Sequence, residues 1–511
     1  MIKNTRILAL LLTFLTTTSV FPQTYSFENS KVPDNWKIDK GAINATGDKY
    51  KAGKQSLQIK WEQGAVLTLT TPNGLSEACK SRNGGISTWI YNESPTEEPM
   101  IFFFKDSKGK EVCQLPFLLN FKGWRCIWAK FQNDMNMSAK STISTVELHF
   151  PQHTSKGVTY IDLLEFTPRV SWQNMSDAQY KVNRTDHSLI PDFIGYRNTK
   201  PQTDKVISAT DIQIKNITDR LTAWYLGSNQ QATGKWEIIR KDNENIFIHN
   251  GLTAAEKIKI QYNKDNTPKG EPLFPMSAPD IIEGQPTTKF KTVNEKILLP
   301  LSLDYRKNNN EQSLKKVLYI YDWFNDQGWA DGSGMGTLCF EKLRSSGYFH
   351  SFFLLKEQLP HDIFERELQA LYWFTMFGIC YQTPEHAGEV ADNLRALAIP
   401  KLIYALSVKD KQEQQVALTA FKNYMDNALS IAPGFFGTFK ADFSGYHHRG
   451  PYHSAYYPHA LYAGSLIAYL LHDTPYALSE TSIYNLKRGL LTFRFFCAGL
   501  NIPAGTVGRF P

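Results

Sequence analysis

No two of the six cysteines stand at the spacing of a metal knuckle or a redox pair. Cys79, Cys113, Cys126, Cys339, Cys380 and Cys497 are scattered, which argues against a small zinc module and a thiol-exchange centre. Cys113 and Cys126 are near enough in sequence to bridge neighbouring strands, but a chain of 511 residues buries a core without such staples, so buried free thiols are the expectation. There is no HExxH element, and hence no zincin-type helix. There is no dense block of lysine or arginine, so the net charge of +7 is not a nucleic-acid footprint. Nor is there a run of about 20 apolar residues able to cross a bilayer core of about 30 Å. No nucleic acid and no membrane are therefore expected as partners. A mild positive excess suits attraction of an anionic partner.

What is present begins with a leader. Residues 1–23, MIKNTRILALLLTFLTTTSVFPQ, place Lys3 and Arg6 ahead of an apolar stretch from Ile7 to Leu15, followed by small polar residues. That is the pattern of a secretory signal peptide. The mature protein is expected to be secreted or periplasmic, and for an exported protein the anionic partner is a polysaccharide rather than DNA. Aromatic residues make up 13% of the chain, with 11 Trp and 24 Tyr, side chains that fill cores and also grip sugar rings.

The chain then changes period. Over residues 24–168, SLQIKW (56–61), AVLTLTT (65–71), GISTWIYN (85–92), MIFFFK (100–105), RCIWAKF (125–131), TVELHF (145–150) and TYIDLLEF (159–166) are short, β-branched and aromatic, and are separated by Gly, Pro, Asn and Asp. Many short strands so punctuated predict a β-sandwich of jelly-roll type. Its first and last segments, SFENSKVPDNW and YIDLLEF, look like the paired edges of carbohydrate-binding jelly rolls, where a Glu and an Asp meet at a structural calcium. Glu28 and Asp162 are the candidates, since hard carboxylate oxygens suit that ion; two solvated surface acids are the competing reading. Residues 169–215 read as a polar connector.

From about residue 216 apolar residues recur at helical spacing in SLKKVLYIYDWFNDQG (313–328), DIFERELQALYWFTMFG (362–378), EVADNLRALAIPKLIYALS (389–407), EQQVALTAFKNYMDNALSIA (413–432), HALYAGSLIAYLLHD (459–473) and SIYNLKRGLLTFRFFCAG (482–499). A kink is expected at Pro400. Repeated helical hairpins without a fixed sequence repeat predict a helical array, a solenoid or a closed α/α toroid. Within 216–310, KWEIIRKDNENIFI reads as partly extended and GEPLFPMSAPDIIEGQPTTKF as a long loop.

Four of the 12 histidines lie in FSGYHHRGPYHSAYYPHA, residues 443–460, as His447, His448, His453 and His459. A metal site is one reading, because His448 and His453 stand five apart, but Gly450 and Pro451 interrupt any helix and no acid lies within 445–460. A loop of locally satisfied side chains is the second. The third is proton transfer on a sugar, with a neutral His and a Tyr moving protons and an Arg holding developing negative charge. That chemistry requires no metal.

Together with LIAYLLHDTPYALSE and the terminal IPAGTVGRFP, GYHHRGPYHSAYY resembles polysaccharide lyase family eight, most closely its chondroitin sulfate ABC branch. The likeness in layout spans nearly the whole chain, and its specific motifs lie in 445–511. It implies an N-terminal jelly roll, an α/α toroid and, beyond them, C-terminal β-sheets. On this fold class, a β-sandwich followed by an incomplete toroid, residues 1–23 are signal peptide, 24–168 the jelly roll, 169–215 the connector and 216–511 a truncated lyase domain. By position, His448 in the aromatic–x–His–x–Gly element matches the family histidine, Tyr456 the catalytic tyrosine and Arg509 the active-site arginine. His447, Arg449 and His453 would contact substrate, and His447 is the alternative to His448. The implied reaction is β-elimination at a uronic acid of a chondroitin-type chain. Tyr456 would donate a proton to the leaving oxygen, and a His or Tyr would act as base. The alternative, from another class, is a non-catalytic glycosaminoglycan-binding protein; a third is a metal-dependent hydrolase. The sequence departs from the branch at Arg449, where a Glu is usual, and at Cys339 and Phe340, where paired histidines stand. A monomer is expected.

Overall fold

The computed structural model describes residues 24–508, except 171–176, 184–191, 228–233, 274–287, 336–344, 498 and 500. Strands β1 (Trp36–Ile38), β4 (Val66–Thr70), β9 (Thr145–His149), β6 (Pro99–Lys105) and β7 (Glu111–Leu118) lie in that order in one five-stranded antiparallel sheet. A second follows the order β2 (Gly41–Thr46), β3 (Ser56–Glu62), β10 (Lys156–Thr167), β5 (Gly85–Asn92) and β8 (Gly123–Lys130). Side chains alternate across a strand, so each sheet turns one row inward. Leu57, Ile59, Ile90 and Ile127 of the second sheet meet Leu67, Phe102, Phe104 and Leu148 of the first in a single core. The packing continues past residue 168: Tyr180 joins that core, and its hydroxyl accepts from Trp128 N at 2.9 Å.

The second sheet is covered on its other face as well. Trp89, Tyr91, Trp124, Trp128 and Tyr160 belong to the core of the helical half, and every residue of β5 and β8 is buried. A strand covered on both sides has no solvent-facing row, and the polar residues these strands carry, Ser87, Thr88, Asn92, Arg125 and Lys130, are buried with the rest.

The helical half comprises α1 (Asp211–Leu226), α2 (Lys235–Ala255), α3 (Leu299–Asn308), α4 (Glu311–Asp326), α5 (Ser346–Leu355), α6 (His361–Phe374), α7 (Ala391–Ser407), α8 (Lys411–Ala428), α9 (Tyr457–Leu471) and α10 (Glu480–Phe495). Sequence neighbours pack in hairpins: α3 on α4, α7 on α8, and α9 on α10; α7 also lies along α9. The α7 assignment runs unbroken through Pro400. One expectation is corrected: KWEIIRKDNENIFI is not extended but is most of the 21-residue α2. Its Ile-Ile and Ile-Phe-Ile runs mimic a strand, yet Ile238, Ile239 and Ile246 are exposed, while Ile248, Leu252 and Ala255 make the stripe that packs.

Several contacts pin the halves together, among them three made by Tyr91, Lys49 and Lys51. Tyr91 donates to Asp326 Oδ1 at 2.6 Å. Lys49 pairs with Asp265 at 3.0 Å. Lys51, with no exposed surface, donates to the Gln327 carbonyl at 3.0 Å and stands 4.2 Å above the Trp89 ring. The described cysteines Cys79, Cys113, Cys126, Cys380 and Cys497 are free thiols, the first four buried.

Candidate active site

The histidine-rich stretch folds as a tight hairpin immediately before α9. Strand β11 (Tyr446–His447) pairs with β12 (Gly450–Pro451), Tyr446 opposite Pro451 and His447 opposite Gly450. The two residues between them, His448 and Arg449, have φ of 47° and 67°. A two-residue turn that follows strand twist needs positive φ at both positions, which Asn-Gly adopts readily and these side chains do not. Each such residue costs about 1–3 kcal/mol and persists where its surroundings fix it. Here the surroundings are backbone bonds from Tyr446 N to Thr438 O and from Tyr452 N to Gly445 O, both 2.9 Å. The result is that His448 and Arg449 stand exposed at the tip.

Beneath the tip the rings gather. His447 stacks on Tyr456 with centroids 4.0 Å apart. His448 approaches Tyr456 edge-on at 5.8 Å, and Tyr452 does so at 5.0 Å. Tyr456 is the N-cap of α9, so its position is set by a helix and not only by a loop. The first turn of α7 closes the other side. Arg395 Cζ lies 5.3 Å from the centre of the Tyr456 ring. Asp392 Oδ1 takes Arg395 Nε at 2.7 Å and Nη2 at 2.6 Å, while its Oδ2 lies 3.2 Å from His447 Nε2. The His447 N–H is not aligned on that oxygen, so the last is a close polar contact, and an ion pair only when the imidazole is protonated. Burial works against the Asp392 charge, but His447 and Arg395 hold its carboxyl below the usual carboxylate range. An exposed imidazole, a buried tyrosine and a clamped guanidinium therefore share one spot, the components of a proton transfer beside an anion.

A family model for "Lyase, catalytic" matches residues 201–511, and one for "Lyase, N terminal" matches residues 22–182. The chain belongs to polysaccharide lyase family eight. It is 27% identical over 523 residues to a chondroitin sulfate ABC exolyase of Bacteroides thetaiotaomicron, covering 95% of this chain and 49% of that protein. A chondroitin sulfate ABC endolyase of Proteus vulgaris is 24% identical over 522 residues, covering 92% and 49%. The chain thus spans about half the length of the curated relatives it matches. Among solved structures, a xanthan lyase of Paenibacillus aligns over 55% of this chain and 25% of that one, with 13% identity and a TM-score of 0.42.

The structure of this family-eight chain brings together His447, His448, Arg449 and Tyr456 of the sequence candidates. His453 goes elsewhere. Its ring, 1% exposed, accepts from Gly445 N at 3.2 Å through Nε2, faces Thr506 O through Nδ1 at 3.3 Å, and stacks on Phe496 at 3.9 Å. Burial lowers its pKa, in keeping with a neutral ring that ties the hairpin to the C-terminal segment. Arg509 lies outside the described residues, as do Cys339 and Phe340. The residue before Arg509 is at the site, however. Gly508 has φ of 63°, and a Cβ there would lie 2.3 Å from Tyr452 Cζ, so only glycine lets that backbone rest on the ring.

Glu28 and Asp162 converge on one loop, far from the rings in sequence. Asp162 Oδ2 accepts from Lys51 N at 2.6 Å and Ala52 N at 3.0 Å; Glu28 Oε1 accepts from Lys54 N at 2.9 Å and Gln55 N at 3.0 Å. The competing picture of two surface acids fails for Asp162, which has no exposed surface. Burial, with Glu28 adding to it, pushes the Asp162 carboxyl up to about 7. Among the described residues no group of three or more His, Cys, Asp or Glu gathers for a metal. Asp392 and Arg395 are the site residues that sequence reasoning missed. They sit in EVADNLRAL, where an Asp and an Arg three apart look like an ordinary helix-surface pair.

Proposed function

We propose that this chain carries the proton-transfer machinery of a glycosaminoglycan lyase acting by β-elimination on chondroitin-type chains. The observation that carries the reading is the cluster of His448, Tyr456 and Arg395 about one partly open point, in a chain similar to chondroitin sulfate ABC lyases. In the reaction the base removes the proton at C5 of the uronic acid, and the C5–H electron pair becomes the C4–C5 double bond. The C4–O bond breaks, and the departing oxygen takes a proton. Tyr456 is assigned that donation, with Arg509 holding the charge that develops. His448, exposed at the hairpin tip, is the imidazole a sugar can reach; His447, buried between Asp392 and Tyr456, orients the phenol. Arg449, beside His448, is proposed to meet a sulfate of the chain.

The sandwich is read as a jelly roll of the carbohydrate-binding kind, and the helical half as an α/α toroid. The chain is read as exported, its first 23 residues being the leader. The chemistry is proposed to need no metal; calcium is proposed only as a structural ion between Glu28 and Asp162. Each carboxylate has about four lone-pair positions, so both keep some beyond the amides they cap.

The test is incubation of the full chain with chondroitin, dermatan and chondroitin sulfates while absorbance near 232 nm is followed. A rise from the unsaturated uronate supports elimination. Chain shortening without that absorbance would indicate hydrolysis, and salt-sensitive binding without shortening would indicate a non-catalytic binding protein.

A further inference from the structure

Elimination makes a demand that His448 and Tyr456 do not meet. A C–H beside a carboxylate is released only when the carboxylate charge is held, because otherwise the carbanion sets a second negative charge next to the first. The holder must be a fixed donor of positive charge, reachable from solvent, and about a sugar ring's width from the phenol. Among the cations described near the hairpin, Arg488 lies over the Phe443 ring at 5.3 Å, and three others can be compared. Lys440 Nζ is engaged by the carbonyls of Ala432 and Phe436. Arg449 stands on the exposed tip. Arg395 is different: its side chain is 34% exposed, and Nε and Nη2 are clamped on a single oxygen of Asp392, while Nη1 takes no hydrogen-bond partner among the described residues. Its guanidinium faces the ring of Tyr456 at 5.3 Å. A guanidinium fixed by one carboxylate is preorganised to take a second in the planar geometry the pair prefers.

We infer that Arg395 receives the carboxylate of the uronic acid, and that Asp392 is the positioning residue that aims it. The inference rests on the reading of Tyr456 as the proton-transfer group.

The experiment compares the full chain with Arg395→Ala and Arg395→Lys on chondroitin and on chondroitin whose uronates are methyl esters. An ester needs no charge neutralisation. Arg395→Ala should lower kcat/KM on the acid by about 10²–10³-fold, the loss typical of one preorganised donor, and on the ester by far less. Arg395→Lys, which keeps the charge but not the fork, should fall between, and serves if the alanine variant does not fold. Equal losses on both substrates would overturn the inference. Binding is measured separately by calorimetry: the wild type should prefer acid to ester by about 10–100-fold, and Arg395→Ala should lose that preference. If the wild type forms no unsaturated product, the elimination reading fails. The acid-over-ester preference still decides Arg395, and its persistence in Arg395→Ala, or its absence from the wild type, would overturn the assignment.

Discussion

Ring contacts hold Tyr456 against its neighbours, whereas the proposed chemistry uses its hydroxyl, and one substitution separates the two. In Tyr456→Phe the stack on His447, the edge contact with Tyr452 and the Arg395 face all remain. The melting temperature should therefore stay near that of the wild type while the initial rate at 232 nm falls by about 10²–10⁴-fold, the range general acid–base groups supply. An unchanged rate would remove Tyr456 from the chemistry. At this scale the sequence was uneven in what it disclosed. His448 and Tyr456 are legible because motif spacing along one hairpin and the helix after it is a local property. His453 looks equally functional in the string, yet it points inward, since the side on which a loop side chain falls depends on the C-terminal segment it meets at Thr506. Asp392 and Arg395 come from a helix that starts more than fifty residues before the hairpin, and only tertiary packing of α7 against α9 makes them neighbours of Tyr456.

Among the elements, strands and helices with a one-sided apolar row were the legible ones, and α2 was not, because its exposed isoleucines hide the helical stripe. The loop from Lys49 to Gln55 has no period at all, and two expectations meet on it. Glu28 and Asp162 hold its backbone to the sandwich, while its lysines reach Asp265 and Gln327 of the helical half. If calcium sits between the carboxylates, chelation by EDTA should lower the melting temperature, because an ion bound only to the native state stabilises by mass action; an unchanged melt would remove the ion. The loop also predicts a pH dependence. Burial lowers the Lys51 pKa to about 7, against the pull of Asp326, Cys126, Asp162 and Asp177. The folded state thus holds fewer protons than the unfolded one from about pH 7 to 10.5, and Lys51 makes stability rise with pH across that window. Asp162 acts oppositely: raised from 3.8 to about 7, it makes stability fall as pH climbs between those values. Denaturation midpoints in urea should show Lys51→Met losing the alkaline rise and keeping the acid-side fall. A Lys51→Met profile parallel to the wild type above pH 7 would show that Lys51 does not set it.

The molecule as a whole is built on a sheet with two buried faces, and this feature was least legible in the sequence, since a strand does not say which neighbour covers its second side. The sandwich lends Trp89, Trp124 and Trp128 to the helical core, and Tyr91 and Asp326 bond across the seam. The two halves are therefore one packing unit. Separating them tests this. A fragment of residues 24–168 would expose the tryptophan face and lose Tyr180, whose ring packs near Phe117 and whose hydroxyl accepts from Trp128 N. A fragment of residues 24–182 restores Tyr180 but not the cover over the tryptophans. Removing a large buried aromatic side chain costs about 3–5 kcal/mol, so the longer fragment should melt clearly higher than the shorter. Both should bind an apolar dye that the full chain does not, because the row from Trp89 to Trp128 is a contiguous apolar surface once the helices are gone. Two fragments that melt together without binding dye would show a self-sufficient sandwich, and the seam would then be a docking contact rather than shared core.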